Sequence, residues 1–588
     1  MSRRLVEAAP EAPDRPAVEA DARAPLLDLL FLALVVFLPA VLYLPNLGFY
    51  SDDWDHLQAL GAAPGATSQS LLELIRRLIP VTELRPAHAV YLAVQYALFG
   101  VVPLGYHLFN HLVLWLGLAM LVVVLRRLGV PRAMALTAAT LFGLMPSYSV
   151  LRFWMAADMI NLSLLMYLIS LWADLRSPLA FGRAVVWRVL SVAAALNSVL
   201  LYELCMPLLL LNPFVGWWYR HGRPSVAAFK RPETRPLPDA RLVVDLAVNL
   251  AIVLAATAYK VLASPRVAAD DGLSTLGRVL RLARGVLNHH GLVFGLGEPL
   301  SIWTILTRYF DPWGLLLAVL AGVGVAAYLY VAYGGSSSEE SPATARGAQQ
   351  RSWAVVVGGL VVLAGGYAIF LTNDQFHFSA AGTYTRIAQV GSLGVALAMA
   401  GALGLLGAWI PRPDSRRLMI CSLVGLYCGA GVLILNTVAN FWEEAYRRET
   451  AIVADLGRAV PRMAAGSALL LDGECPYLGP AVVFESDWDL RGVVRLMHQD
   501  RSLDANIVTP HLEVGDRAVT TWLTTPDQVA VYPYANGLVV YNRAFDVVVP
   551  IRSAGEMSAY LARYNPDRGA SCPFGWSGNG VTILPRPL

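Results

Sequence analysis

Charged residues are scarce in this sequence. Of its 588 residues only 15% are charged and 56% are hydrophobic, whereas soluble domains carry about a quarter charged residues. The deficit indicates that lipid is the main solvent of the chain. Neither a glycine-rich phosphate loop nor a serine-nucleophile elbow is found, which argues against an ATP-driven activity. The basic residues lie in short loops between apolar runs, not on one polar face, so nothing indicates a nucleic-acid partner.

Cysteine is also scarce, and the five cysteines divide into two groups. Cys205, Cys421 and Cys428 lie in apolar runs, where a free cysteine behaves as a small core hydrophobe. Cys475 and Cys572 are the two in the C-terminal region. If that region lies outside the cytoplasm they are a candidate disulfide, provided that their Cα atoms come within about 7 Å of each other.

Long apolar runs fill most of the first 440 residues. A helical span needs about 20 predominantly apolar residues. About eleven runs meet this requirement, at about 26–46, 104–125, 131–147, 153–172, 184–201, 204–219, 243–263, 313–333, 353–371, 387–410 and 418–439. The stretch 86–99 is too short to cross and is expected near the interface. The first run is too long and begins too late for a cleaved signal peptide, so we interpret it as a retained span.

Arginines in the loops indicate the orientation. With the N-terminus inside, each inside loop carries arginine, from Arg126 and Arg127 to the segment 412–417. This is the positive-inside pattern, and an odd number of spans then places the C-terminus outside.

The predicted fold is an α-helical polytopic membrane protein with about eleven transmembrane helices. Residues 1–25 form a disordered cytoplasmic segment, and 26–440 form the transmembrane domain with long outer loops at 47–85 and 264–312. Residues 441–588 form a small extracytoplasmic α/β domain, because β-rich runs alternate there with helical patterns and a turn is predicted at Asn536-Gly537.

An acidic cluster follows the first span at the predicted outer surface. It contains Asp52, Asp53, Asp55 and the neighbouring His56. One interpretation is a helix start, with Ser51 as the N-cap and the acids complementing the helix dipole. The alternative is a general base that takes the proton of an acceptor hydroxyl while phosphate leaves an anomeric carbon. Adjacent carboxylates could also raise one another's pKa or hold a divalent cation.

A phosphate donor at this surface requires cations. Five basic residues fall at predicted outer ends of spans, namely Arg85, Arg152, Lys260, Arg266 and Arg386. Each alone could snorkel or contact lipid headgroups. Five basic residues at about the same depth, opposite an acidic cluster, favour a phosphate site. Arginine also suits bidentate phosphate contacts.

Polar residues inside the apolar runs are further candidates. Glu203 is the strongest candidate among them, because an ionisable group at such depth is costly and usually functional. Its alternative role is to pair with an arginine at the outer edge. His107, Asn110 and His111 lie at helical spacing i, i+3, i+4. Two histidines at i, i+4 can bind metal, but nothing nearby completes a site, so interhelical hydrogen bonding is predicted.

The order of these motifs resembles a known family. FYSDDWDHL, followed by LRPAHAVYLAVQYALFGVVPLGYHLFNHLVLWLGLAMLVVVLRRLG, resembles the start of the GT-C superfamily of integral-membrane glycosyltransferases, in its protein O-mannosyltransferase-like branch. LLYELCMPLLLL (200–211) and RIAQVGSLGVAL (386–397) resemble later family segments. The likeness covers roughly 26–440. It implies a polyprenyl-phosphate-linked sugar donor and an inverting transfer at the outer surface.

The resemblance assigns roles to individual residues. It maps the acidic pair of the family onto Asp52 and Asp53, one of which would be the base, and its glutamate and arginine onto Glu203 and Arg386. Tyr202 stands where the family usually has lysine. The C-terminal α/β domain replaces the helical repeats of eukaryotic relatives, so the acceptor is left open between a glycan, a lipid and a protein.

The sequence therefore predicts a hexosyl- or pentosyltransferase in a bacterial plasma membrane, with a periplasmic C-terminal domain. Arg85, Lys260 and Arg386 are the first candidates for the donor phosphate, with Arg152 and Arg266 as further ones. Supporting roles are predicted for a set of four residues, Asp55, His56, Glu203 and His107. No cofactor is predicted apart from a divalent cation that Asp52 and Asp53 could hold.

Two other functions fit the same residues. One is a polysaccharide ligase or polymerase that uses a diphosphate-linked donor. The other is a non-catalytic protein that binds or transports polyprenyl lipids. A transporter would have polar residues through the whole depth of the bundle or broken helices in symmetric halves, whereas the polar groups here lie mainly at the outer ends.

Overall fold

The structure is a computed structural model, and it describes residues 24–61, 70–82, 84–176, 183–221, 240–263, 274–334, 342–372, 378–379, 381–522, 529–566 and 572. Up to residue 459 every regular element of the described chain is a helix. The α-helices are Ala24–Phe37, Asp52–Leu60, Leu71–Leu78, Pro86–Phe99, Pro103–Arg127, Arg132–Leu144, Met159–Arg176, Arg183–Leu201, Met206–Leu209, Asn212–Arg220, Ala240–Ala263, Thr275–Val286, Gly297–Arg308, Pro312–Gly334, Pro342–Ala368, Gln389–Gly407 and Pro413–Ala459.

Seven helical segments in the described residues are long and apolar enough to cross a membrane. They are Pro103–Arg127, Met155–Arg176, Ala240–Ala263, Pro312–Gly334, Arg346–Leu371, Thr383–Gly407 and Pro413–Ala459. A bent pair, Arg132–Leu144 with Pro146–Arg152, makes an eighth if it counts as one span, and two shorter apolar helices lie at Pro25–Phe37 and Val185–Leu201. The predicted class, a helical polytopic membrane protein, is confirmed. The number eleven and the orientation stay predictions.

Proline breaks two of the predicted runs. The run 131–147 ends where Met145 adopts an extended backbone (ψ 127°) before Pro146, because a residue that precedes proline is disfavoured in the helical region. The two helices meet there at 66°. The run 204–219 is divided into two short helices, Met206–Leu209 and Asn212–Arg220, each with a proline in its first turn, where the missing N–H costs no hydrogen bond.

The helix Pro413–Ala459, here called the long helix, joins the membrane part to the C-terminal domain. It has 47 residues, about 70 Å at 1.5 Å per residue. The boundary predicted at 440 falls inside it, since the polar stretch that begins there changes the surroundings of the helix but continues its backbone. Trp442 on this helix is fully buried and meets Tyr50 edge to face at 4.7 Å.

The C-terminal domain is built on a four-stranded sheet whose strands lie in the order β4 (Asp504–Ile507), β1 (Ala468–Asp472), β8 (Leu538–Asn542) and β9 (Val547–Ile551). The central strand β1 runs parallel to both neighbours, and all five of its residues are buried, as expected of a strand covered on both faces. A two-stranded and a three-stranded antiparallel sheet complete the domain. The strands are β1 Ala468–Asp472, β2 Tyr477–Leu478, β3 Ala481–Val482, β4 Asp504–Ile507, β5 Glu513–Val514, β6 Ala518–Thr521, β7 Ala530–Pro533, β8 Leu538–Asn542 and β9 Val547–Ile551.

Two helices belong to this domain, Asp487–His498 and Ala554–Tyr564. Asp487–His498, here called the covering helix, connects the parallel strands β1 and β4. The turn predicted at Asn536-Gly537 is present, with Gly537 at φ 84°, but it leads from β7 in one sheet to β8 in another. Cys475 and Cys572 form a disulfide, with their Cα atoms 5.6 Å apart.

Candidate active site

The acidic segment forms a tight turn followed by a helix. The helix Asp52–Leu60 carries Asp52, Asp53 and Asp55 in its first turn, as the helix-start interpretation predicts. Ser51 does not cap it, however, because its side chain makes no capping hydrogen bond. The backbone N–H of Asp53 donates to the carbonyl of Tyr50 at 3.0 Å, which closes the turn.

Both carboxylate oxygens of Asp53 are bonded to the backbone. Its side chain is fully buried, and one carboxylate oxygen accepts from the backbone N–H of Tyr50 at 2.9 Å. The other accepts from the N–H of Ala156 at 2.7 Å. Burial raises the pKa of Asp53 well above its ordinary value, while the two backbone hydrogen bonds lower it. This carboxylate therefore joins the acidic turn to the segment near residue 156 and has no oxygen left over for a substrate.

Asp52 has different surroundings. It is partly exposed, and Arg386 and Arg85 are the cations that act on its carboxylate. Burial raises the pKa of Asp52, and the two arginines lower it without cancelling that rise. The indole of Trp488 lies beside it. Of the two aspartates, Asp52 is thus the one whose carboxylate is partly exposed.

Three of the predicted residues form one ion-paired group. Arg85 donates to one oxygen of Glu203 at 3.1 Å, and Lys260 donates to the other at 2.9 Å. The guanidinium of Arg85 also lies 4.2 Å over the ring of Tyr202. Glu203 therefore pairs with an arginine, as its alternative role proposed. Two cations share one carboxylate, so the group keeps one net positive charge.

Arg386 is held without an ion pair among the described residues. It lies in the short helical turn Thr383–Ala388, 5.2 Å over the ring of Trp154 and 5.6 Å over that of Tyr384. Its guanidinium donates to the carbonyl of Thr383 at 3.3 Å. Trp154 in turn donates to the carbonyl of Tyr50 at 3.1 Å. The aromatic face thus places an arginine beside the acidic turn and leaves its donors open to an anion.

Among the described residues, the other predicted ones make no ion pair with this group. Arg152 is buried and donates to the carbonyl of Gly143, and Arg266 lies outside the described residues. Asp55 accepts from the side chain of Gln58 at 3.1 Å. His56 is buried with its ring 5.3 Å from that of His88, and burial lowers its pKa to about 4.

The histidine and asparagine motif is structural. His107 bonds the carbonyl of Gly48 at 2.8 Å, and Asn110 donates to the carbonyl of Leu151 at 2.7 Å. His111 contacts the hydroxyl of Tyr43 at 3.3 Å. These bonds connect the helix Pro103–Arg127 to other elements, among them the segment just before the acidic turn.

A metal site is not apparent in the described part of the chain, where no group of three His, Cys, Asp or Glu side chains is placed to hold an ion. Asp53 has both oxygens engaged by backbone N–H groups. The two neighbouring aspartates therefore do not offer a shared set of free oxygen ligands.

The C-terminal domain contributes residues that the sequence did not indicate. The hydroxyl of Ser51 donates to one oxygen of Glu485, whose other oxygen accepts from the hydroxyl of Tyr477 at 2.8 Å. The indole of Trp488 also faces Asp52 and, as a hydrogen-bond donor, lowers the pKa of its carboxyl group. Ser486 and Asp489 form a capping box, which marks a helix start, but no local pattern shows what that helix covers.

Close packing of two helices holds this domain over the acidic turn. Gly492 of the covering helix lies against the backbone of Trp54, and a Cβ at position 492 would be 2.6 Å from the Trp54 carbonyl oxygen. That oxygen is backbone and cannot swing away, so only a residue without a side chain permits this approach.

Gly492→Ala is therefore expected to lower the free energy of unfolding by about 1–3 kcal/mol, as overpacking does. Thermal unfolding of the purified protein measures it. The matched control is Gly457→Ala on the long helix, where the nearest atom to the new Cβ, the Met497 sulfur, is at 3.8 Å and alanine favours the helix. Equal unfolding temperatures for both variants would contradict the close approach.

Fold and site together define a multi-pass helical membrane protein whose C-terminal α/β domain covers a group of carboxylates and arginines. The chain is similar to two crystal structures of ArnT from Cupriavidus metallidurans, one bound to undecaprenyl phosphate and one in the apo state. Their identities are 16% and 14% and their TM-scores 0.34 and 0.33, and each match covers 83% of this chain and 86% of that chain. No protein-family model matches the chain, and no curated protein matches it significantly.

Proposed function

We propose that this protein is a GT-C-type glycosyltransferase that moves a sugar from a polyprenyl-phosphate donor to an acceptor hydroxyl at the outer face of a bacterial plasma membrane. One observation carries the proposal. Asp52 is partly exposed between Arg85 and Arg386, and Arg386 makes no ion pair within the described residues. A carboxylate placed among cations with open donors suits a reaction that takes a proton and releases phosphate.

The chemistry assigned to the site is a single displacement. Arg386 and Arg85 bind the phosphate of the donor, and Asp52 accepts the proton of the acceptor hydroxyl. The acceptor oxygen bonds to the anomeric carbon as the bond to the phosphate oxygen breaks, and the phosphate leaves with that electron pair. One attack from the opposite face inverts the anomeric configuration. Phosphate is a good leaving group, so the step requires no strong general acid.

The positive charges of the site match the negative charge of the leaving phosphate. One positive charge remains on the group of Arg85, Lys260 and Glu203, and Arg386 adds a second. A phosphate diester donor carries one negative charge, whereas the released monoester carries about 1.5 to 2. Two positive charges therefore match the charge that develops as the bond breaks, and interactions that strengthen towards the transition state are the ones that accelerate a reaction.

The proposed location follows from the loops. Arginine on alternate loops supports a location of the acidic turn and the C-terminal domain outside the cytoplasm. At that face the partners are a polyprenyl-phosphate-linked sugar, membrane lipids, and an acceptor that is a glycan, a lipid or a protein. The site residues contact the donor phosphate and the transferred proton, and they do not select among these acceptors.

Transfer of radiolabelled sugar tests the proposal. A panel of polyprenyl-phosphate sugars is incubated with membranes that contain wild type, Asp52→Asn, or Glu513→Gln, a change at an exposed position of β5. Label is expected to reach an acceptor or water with wild type and Glu513→Gln only. Turnover of diphosphate-linked donors alone would favour a ligase or polymerase instead, and well-folded protein without turnover of either donor class would favour a lipid-binding protein.

A further inference from the structure

The backbone of Ser51 has an uncommon conformation. Its φ is 49° and its ψ is −120°, which are the angles of the first central residue of a type II′ turn, a position dominated by glycine. The Tyr50–Asp53 hydrogen bond closes that turn, and Asp52 is its second central residue. A serine in this region is strained, and such strain persists only where the surroundings hold it.

Most of the turn is held by the membrane part of the protein. The hydroxyl of Tyr50 donates to the Trp442 carbonyl at 2.8 Å, and Asp53 is bonded to Ala156. Before the turn, His107 bonds the Gly48 carbonyl. These anchors fix both ends, and none of them acts on Ser51, whose side chain is buried and bonds the C-terminal domain.

Glu485 is well placed to act on Ser51. Its carboxylate is buried, accepts from Ser51 on one oxygen and is fixed by Tyr477 on the other. Its own backbone N–H donates to Asp489 at 2.6 Å, so the capping box of the covering helix fixes the residue in turn. The fixed carboxylate of Glu485 thus contacts Ser51, the strained residue next to Asp52, although the two are 434 residues apart in the chain.

We propose that Glu485 is a positioning residue that holds Ser51 in its strained turn and so fixes the direction of the Asp52 carboxylate. The inference rests on the proposed function for its kinetic part only. It makes the C-terminal domain part of the active site, because turnover then depends on that domain being seated over the acidic turn.

Four variants test this in the full-length protein: Glu485→Ala, Ser51→Ala, the double change, and Ser51→Gly with Glu485→Ala. Each of the first two is expected to lower kcat by about 100-fold, the effect of a misplaced catalytic group, with the KM for the donor changed less than about threefold because phosphate contacts remain. The double change is expected to be no worse than either single one, because both remove the same interaction.

The glycine variant separates positioning from a general loss of contacts. Glycine adopts the Ser51 angles without strain, so Ser51→Gly in the Glu485→Ala background is expected to recover about tenfold in kcat although it adds no hydrogen bond. Glu513→Ala, at an exposed position of the same domain, is the control and should match wild type.

Several results would overturn the proposal. Wild-type kcat in Ser51→Ala would do so, and this variant removes a single oxygen, so it decides the matter even if Glu485→Ala does not fold. Loss of turnover in Glu485→Gln combined with a normal Ser51→Ala would show instead that Glu485 contacts the substrate. Additive losses in the double change would show that the two residues act separately.

Hydrogen exchange tests the same contact without turnover. Amides of residues 48–60 are expected to exchange faster in Glu485→Ala and in Ser51→Ala than in wild type and Glu513→Ala. If wild type transfers no sugar from any polyprenyl phosphate, the proposed function fails but this measurement still decides the positioning role. Unchanged exchange rates in both variants would overturn it.

Discussion

Asp52→Asn is expected to lower kcat for sugar transfer by about 10³-fold, within the range of general-base contributions, and to leave thermal unfolding unchanged. The side chain is partly exposed beside Arg386 and Arg85 and serves no backbone group, so its charge matters for chemistry and little for the fold. Initial rates with saturating donor and an unfolding curve for the same preparation measure both effects.

Asp53→Asn is the matched comparison, one residue away and chemically identical. Its carboxylate accepts from two backbone N–H groups, and an asparagine amide would turn a donor towards one of them. A buried donor left without a partner costs about 1–3 kcal/mol, so this variant is expected to unfold at lower temperature. The base assignment would be wrong if Asp53→Asn abolished transfer at a normal unfolding temperature while Asp52→Asn retained it.

The pH dependence of kcat also tests Asp52 as the general base. Asp52 accepts a proton only when ionised, so kcat is expected to rise with pH through the pKa of this group. Burial raises that pKa above the ordinary value of 3.8, so the acid limb of the profile should lie at higher pH than for a solvated aspartate. Asp52→Asn should lose the limb together with the rate.

The sequence predicted the membrane part well because lipid imposes a simple demand. Every backbone group in the bilayer must be bonded within its own segment, so apolar length alone identifies a helix such as Pro103–Arg127. The division of 204–219 required attention to two prolines. The boundary at 440 was placed by a change of polarity; the long helix runs across it to Ala459, and the domain boundary stays a prediction.

The sequence indicated which residues share one surface, but not which contacts each of them makes. Positions along the predicted spans assigned Asp52, Arg85 and Arg386 to one surface, and pairing of Glu203 with an arginine at the outer edge was among the alternatives. Which aspartate keeps free oxygens depends on the backbone of Ala156, and the contact of Ser51 with Glu485 joins residues 434 apart. Neither contact leaves a periodic pattern, because each is decided by tertiary packing.

Arg386→Ala is expected to lower kcat by about 10²–10³-fold, the effect of removing one preorganised donor to a developing oxyanion, and to raise the KM for the donor. Of the cations near Asp52, Arg386 is the one without an ion pair among the described residues, so its charge is available to the leaving phosphate. Lys260 and Arg85 each share Glu203 and should contribute less. Kinetics with a polyprenyl-phosphate sugar at several donor concentrations measure this, and Arg462→Ala, at an exposed position before β1, is the control.

Arg386→Lys separates charge from geometry. Lysine keeps the charge but loses the planar fork and the stacking over Trp154, so it should recover only part of the rate. The pH profile of kcat gives an independent prediction for the arginine variants. Arg386 lowers the pKa of Asp52, so its removal should move the acid limb to higher pH, whereas Arg386→Lys should move it less. A rate near wild type with an unmoved limb in Arg386→Ala would show that neither the phosphate nor Asp52 depends on this arginine.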